Sequence, residues 1–97
     1  MKEKYPEKWI EAQLKKMIEH RGGVCLKFVS PGTTGVMDRI ILMPGGRVLF
    51  VELKQRIGRT SGMQDYWIGR FRELGAEVYL VKGWENTKKF IEEVIDA

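Results

Sequence analysis

The sequence predicts an α/β fold in the order αβββαβα, with a central mixed four-stranded sheet flanked by helices. Three features of the 97 residues carry that expectation. Apolar residues recur at helical spacing in three segments. Four short apolar or alternating runs, bounded by glycine and proline, read as strands. The last of these runs is entered from a helix, so its connection is a crossover and the sheet is mixed. A chain of this length makes one domain, spanning 1–97, with a single core.

Each element has its own signal. Trp9, Ile10, Leu14, Met17 and Ile18 follow Pro6 at helical spacing, and Gly22-Gly23 stops the run, so a helix covers about 6–21. Val24 to Ser30 alternates as a strand, with Val24, Leu26 and Phe28 on one face and Cys25 toward the core. Pro31-Gly32-Thr33-Thr34-Gly35 is a loop. Asp38 to Met43 is a second strand, and its run Ile40-Ile41-Leu42 reads as buried on both faces. Pro44-Gly45-Gly46 joins it tightly to a third strand, Arg47 to Lys54. After the polar, basic stretch Gln55 to Ser61, a helix runs from Gly62 to Leu74, with Met63, Trp67, Phe71 and Leu74 on its inner stripe. Ala76 to Val81 is the fourth strand. Trp84 to Ile95 is the last helix, with Phe90, Ile91, Val94 and Ile95 inward.

Composition narrows the chemistry. No apolar run approaches the roughly 20 residues of a membrane span. The start, Met1-Lys2-Glu3-Lys4-Tyr5-Pro6, is charged and has no signal-like apolar core, so the expected location is the cytoplasm, with no membrane partner. One cysteine and one histidine, Cys25 and His20, exclude an internal disulfide and a Cys/His zinc site within one chain. They also leave a serine or cysteine hydrolase only His20 as a base, on the exposed side of the first helix. Any metal is therefore held by carboxylates and carbonyls, which suits Mg2+ or Mn2+. A net charge of +4 permits a polyanionic partner.

The third strand ends unusually. Val48, Phe50, Glu52 and Lys54 share one of its faces, and two charges on an otherwise apolar strand call for pairing or a metal. With a three-residue hairpin loop, Met43 pairs with Arg47, and counting back sets Asp38 opposite Glu52. Two carboxylates so placed repel each other unless a cation lies between them. Lys54 follows one step along the same face. Gly32 and Gly35, in the loop before Asp38, permit close approach of a backbone or a phosphate. Lys27, Arg56, Arg59, Arg70 and Arg72 are candidates for meeting phosphates. The set suits phosphodiester hydrolysis, in which a metal polarises a phosphoryl oxygen and Lys54 orients the water or offsets developing charge.

Gly35-Val36-Met37-Asp38, then Glu52-Leu53-Lys54, then Gln64, resembles the PD-(D/E)xK nucleases, and among them the VRR-NUC (virus-type replication–repair nuclease) domain. That family reads G-x-P-D, E-x-K and a Gln opening the next helix, with a Glu on the first helix. The resemblance covers nearly the whole chain and implies a restriction-endonuclease-like fold. It implies Asp38 and Glu52 as metal ligands, with the Leu53 carbonyl and Glu11 completing the set. Lys54 would be the catalytic lysine and Gln64 the helix residue supporting the site. It further implies a Mg2+- or Mn2+-dependent endonuclease acting on branched or structured DNA. Short members of viral type resolve four-way (Holliday) junctions as homodimers, which also implies a phage origin and a host-cell cytoplasmic location.

Several positions admit two readings. Met37 stands where the family has proline, which predicts a looser loop and leaves open a catalytically weak or silent nucleic-acid-binding module of the same fold. Glu7 competes with Glu11 as the first-helix acid. Gln64 also fits a capping box with Ser61. Arg56 and Arg59 are as compatible with solvated surface as with binding. Trp9, Trp67 and Trp84 read as core or dimer contacts.

Overall fold

The computed structural model describes residues 4–97, so the charged start Met1-Lys2-Glu3 lies outside the described residues. The expected order is observed. Helix α1 (Glu7–His20) leads to strands β1 (Val24–Lys27), β2 (Arg39–Met43) and β3 (Arg47–Lys54), followed by α2 (Gly62–Glu73), β4 (Glu77–Lys82) and α3 (Gly83–Phe90). A π-helical turn, Ile91–Ile95, extends α3 and covers the rest of the predicted last helix. Strands lie in the order β1-β2-β3-β4, and β4 runs parallel to β3 while the other neighbours are antiparallel. The sheet is mixed, as the crossover requires.

The two faces of the sheet are covered unequally. Odd-numbered residues of β1–β3 point toward α1 and α3. Ile10, Leu14 and Ile18 pack there with Cys25, Ile41, Leu49, Val51, Leu53, Val81, Phe90 and Ile91 in the main core. Tyr5, Trp9 and Trp84 close its end, Tyr5 stacked on Trp9 with ring centroids 4.2 Å apart. The other face carries a smaller core of Met37, Ile68 and Val78, with Phe50, Phe71 and Ala76 against it. A single helix, α2, shelters that face.

This asymmetry corrects two expectations. Leu42 is 40% exposed, so β2 is buried on one face rather than both. Val24 and Leu26 are also exposed, on the half of the sheet that α2 does not reach. On α2, Ile68 is the buried residue, whereas Met63 and Leu74 are 49% and 69% exposed. The helix meets the sheet along a stripe centred on Ile68, Phe71 and the flank of Trp67.

Met37 is fully buried against Ile68 and Val78. The loop that a proline would stiffen is pinned here by an apolar side chain, which corrects the expectation of a looser loop. Gly35 has φ +89° and presses its backbone onto Met63 at the start of α2. Its close approach is made to a helix of this chain.

Candidate functional site

The hairpin sets the site. Met43 pairs with Arg47 and Arg39 with Val51, which is the register counted from the sequence. Asp38 immediately precedes β2, and its main-chain carbonyl accepts from the Phe28 N–H at 2.8 Å. Its side chain turns to β3, where Oδ1 accepts from the Leu53 N–H at 3.0 Å. Asp38 and Glu52 thus meet at the end of the two central strands.

Glu52 is 2% exposed. Its Oε2 accepts from Gln64 Nε2 at 3.0 Å and lies 3.3 Å from Lys54 Nζ. Its Oε1 is buried and has no hydrogen-bond partner among the described residues. Leaving a buried acceptor unmatched costs about 1–3 kcal/mol. Burial pushes the Glu52 carboxyl above its ordinary range, and the neighbouring Asp38 charge pushes it further, against the pull of Lys54. Burial likewise raises Asp38, opposed chiefly by the Leu53 N–H and Arg39, with Glu11 adding to the rise. Two desolvated acids that repel one another, one with an orphaned oxygen, fit a site organised around a cation. The hard oxygen donors suit a divalent metal of the magnesium or manganese kind.

Gln64 reconciles its two readings. The Ser61 side chain accepts from the Gln64 N–H, and Gln64 Oε1 accepts from the Ser61 N–H at 2.9 Å, a complete capping box. The amide nitrogen of the same side chain then donates to Glu52. Gln64→Glu tests this division. The expected result is a helix start that survives, because a carboxylate oxygen accepts from Ser61 equally well. Cleavage should fall by about tenfold or more, because the donor to Glu52 is replaced by a like charge. Melting temperature and cleavage rate, measured together, separate the two effects.

The first-helix acid takes a different partner. Glu11 Oε2 pairs with Arg39 at 2.9 Å, and both side chains are mostly covered. Among the described residues no three of His, Cys, Asp and Glu gather to hold a metal. The Glu11 charge is felt at Asp38 and adds to the rise of its carboxyl. Arg39, which had no role in the sequence reading, is the link between α1 and the acid pair. Its signal was its place directly after Asp38, on the opposite face of the strand.

The remaining cations are scattered. Lys27 is exposed at the end of β1, and Arg56 and Arg59 are exposed in the loop after β3. Arg70 sits 3.6 Å from Glu73 on the surface of α2. Arg72 donates to the Val78 carbonyl at 2.8 and 3.2 Å, so it clamps α2 to β4 and is removed from the phosphate-binding candidates. His20 is exposed in the last turn of α1, apart from the acid pair.

No family profile matches the chain. Over 72 residues, 74% of its length and 77% of the relative's, it is 46% identical to a protein of Acyrthosiphon pisum secondary endosymbiont phage 1 named "Putative nuclease p44". Its fold superposes on a solved VRR_NUC domain with a TM-score of 0.85 and 29% identity, covering 91% of this chain and 96% of that one. A relative this similar over most of both chains, and a fold match over nearly the whole length, show that the chain belongs to the VRR-NUC domain family of the PD-(D/E)xK superfamily.

Proposed function

We propose that this protein is a divalent-metal-dependent endonuclease that hydrolyses phosphodiester bonds in branched DNA, resolving four-way junctions as a homodimer. The observation that carries the nuclease reading is the buried acid pair, Asp38 and Glu52, with an unmatched carboxylate oxygen beside Lys54. The family and the phage relative's name point the same way.

Asp38, Glu52 and the Leu53 carbonyl are the residues that would hold Mg2+ or Mn2+. When bound, such an ion supplies Lewis-acid polarisation of a phosphoryl oxygen and a water acidic enough to attack at neutral pH. The chain's own residues do the rest. The Leu53 N–H fixes the Asp38 carboxylate, and Gln64 fixes that of Glu52, so neither acid must reorganise as the reaction proceeds. Lys54 brings a partly exposed ammonium to the same carboxylate, where it holds a proton-bearing water or offsets charge building on the phosphate. Lys27, Arg56 and Arg59 are exposed cations suited to the DNA backbone. Arg70 serves the same end more weakly, because Glu73 already partners it. Glu11 tunes the acid pair from α1. Homodimer formation follows from the substrate: a four-way junction has approximate two-fold symmetry and needs two cuts, and a C2 pair supplies two sites.

Labelled four-way junction, flap, single-stranded and linear duplex DNA, incubated with Mg2+, Mn2+ or EDTA beside a Lys54→Ala variant, tests the proposal. The expected result is paired symmetric cuts in the junction, lost in EDTA and reduced on the order of 10^2–10^3-fold in the variant. Cuts confined to flaps or single strands would keep the nuclease and reject junction resolution. Tight binding without cleavage under every metal would make the protein a silent binding module.

A further inference from the structure

A second feature lies on the other face of the strand that carries Asp38. Between α1 and the β1–β2 pair is a cavity of about 230 Å3, lined by Lys8, Glu11, Ala12, Lys15, Cys25 and Arg39. Lys8, Ala12 and Lys15 lie at helical spacing, so one flank of α1 turns two exposed ammonium groups toward the sheet. Ala12 and Cys25 are small, and they leave the space open. Burial holds the Cys25 thiol above its ordinary range, which keeps it neutral.

The charge in this cavity is unbalanced. Three cations line it against one carboxylate, and Glu11 is already committed to Arg39. Neither Lys8 nor Lys15 has an ion-pair partner among the described residues. A fourth cation, Lys27, is paired directly across from Arg39 in the β1–β2 register. Like charges so opposed repel each other, and Glu11, at 2.9 Å from Arg39, offsets one of the two. The residues therefore form a concave, positively charged seat next to the acid pair: Arg39 follows Asp38 in the chain, and the Glu11 charge is felt at Asp38.

We infer that this cavity is a phosphate subsite, in which Lys8, Lys15 and Arg39 hold a backbone phosphate of the DNA strand next to the one cleaved. The inference rests on the nuclease reading for its substrate, and it adds a direction: the strand leaves the acid pair across α1. Of the lining residues, only Glu11 had been linked to function by the sequence pattern. Lys8, Lys15 and Arg39 carry no side-chain chemistry for hydrolysis. They position the strand, so their loss should affect binding more than the chemical step.

The experiment measures binding of a labelled four-way junction in EDTA by fluorescence anisotropy over a range of KCl concentrations. Lys8→Ala/Lys15→Ala is compared with Lys16→Ala/Lys89→Ala, which removes the same charge from exposed positions outside the cavity. The cavity variant should bind about tenfold more weakly at low salt, with a plot of log affinity against log salt flatter by about one. The control pair should keep the wild-type slope. Equal slopes for the two double variants would overturn the subsite. Metal-dependent cleavage by the wild-type protein, assayed separately, distinguishes this failure from failure of the nuclease reading. A slope difference without cleavage keeps the subsite and rejects hydrolysis. A wild-type protein that binds no DNA rejects both.

Discussion

Glu52→Gln should abolish cleavage, by on the order of 10^3-fold, while raising the melting temperature of the metal-free protein. The first effect follows from the proposed role of Glu52 as a metal ligand: a divalent ion's contribution is several kcal/mol, and each 1.36 kcal/mol is about tenfold in rate. The second follows from the site. Glu52 is buried beside Asp38 with one oxygen unmatched, so the folded chain is strained wherever both acids are ionised. Both folded carboxyls lie above their ordinary values of 3.8 and 4.5. Their favourable contribution is therefore complete below those ordinary values and is lost as pH rises through the raised ones. Glu77 and Asp96, held below their ordinary values by Arg47 and Arg21, act in the opposite sense in both proteins, so the expected result in EDTA is a melting-temperature advantage of Glu52→Gln over wild type that grows from acid to neutral pH. A neutral amide should stabilise the metal-free fold by about 1 kcal/mol, a rise of about 4–8 °C. Melting curves in EDTA across pH, beside a cleavage assay with Mg2+, test both effects. A lower melting temperature for the variant at neutral pH would show that Glu52 stabilises the fold.

Gly35→Ala should cost the fold about 3 kcal/mol, lowering the melting temperature by roughly 12–24 °C. Two penalties combine. With φ at +89°, an added side chain meets the left-handed penalty of roughly 1–2 kcal/mol. A Cβ would also lie 2.6 Å from Met63 Cβ and 2.8 Å from its carbonyl carbon, an overlap of the kind that costs about 1–3 kcal/mol. Gly45 provides the control. It shares the same φ, yet a Cβ there would meet nothing within 4 Å. Gly45→Ala should therefore carry only the backbone penalty, and the gap between the two melts measures the contact with α2. Cleavage should fall for Gly35→Ala as well, since the loop it displaces leads into Asp38. Equal melting temperatures would show that the loop yields without cost.

The hairpin explains why so much of the site was legible. Three loop residues fix one pairing, and one pairing fixes every other in an antiparallel ladder, so the meeting of Asp38 and Glu52 could be counted from the sequence. Helix α1 was equally readable, because Ile10, Leu14 and Ile18 repeat at a clean period on a fully covered face. The errors arose where coverage is partial. Leu42 and Leu74 are apolar, and nothing in their neighbourhood tells that α2 reaches only the β3–β4 half of the sheet. Met37 was read through the proline it replaces, whereas its burial depends on Ile68 and Val78 from two later elements. The Glu11–Arg39 pair joins residues 28 positions apart, and several other acids and bases offered the same match on charge alone. Which cation an acid finds depends on tertiary placement, and single-sequence patterns do not encode it.

The Gln64 side chain has a consequence for how the protein can vary. Its carbonyl end is committed to a backbone donor at the helix start and its amide end to a carboxylate. A carboxylate at this position offers acceptors only, and an ammonium offers donors only. Asparagine carries both but is one methylene shorter. Neutral drift, which ordinarily exchanges glutamine freely with glutamate or lysine on a helix surface, is thereby closed at this half-buried position. The same coupling makes the helix start and the carboxylate's orientation inherit one another's faults: a change that frays the first turn of α2 also releases Glu52, although it touches no group that meets a substrate.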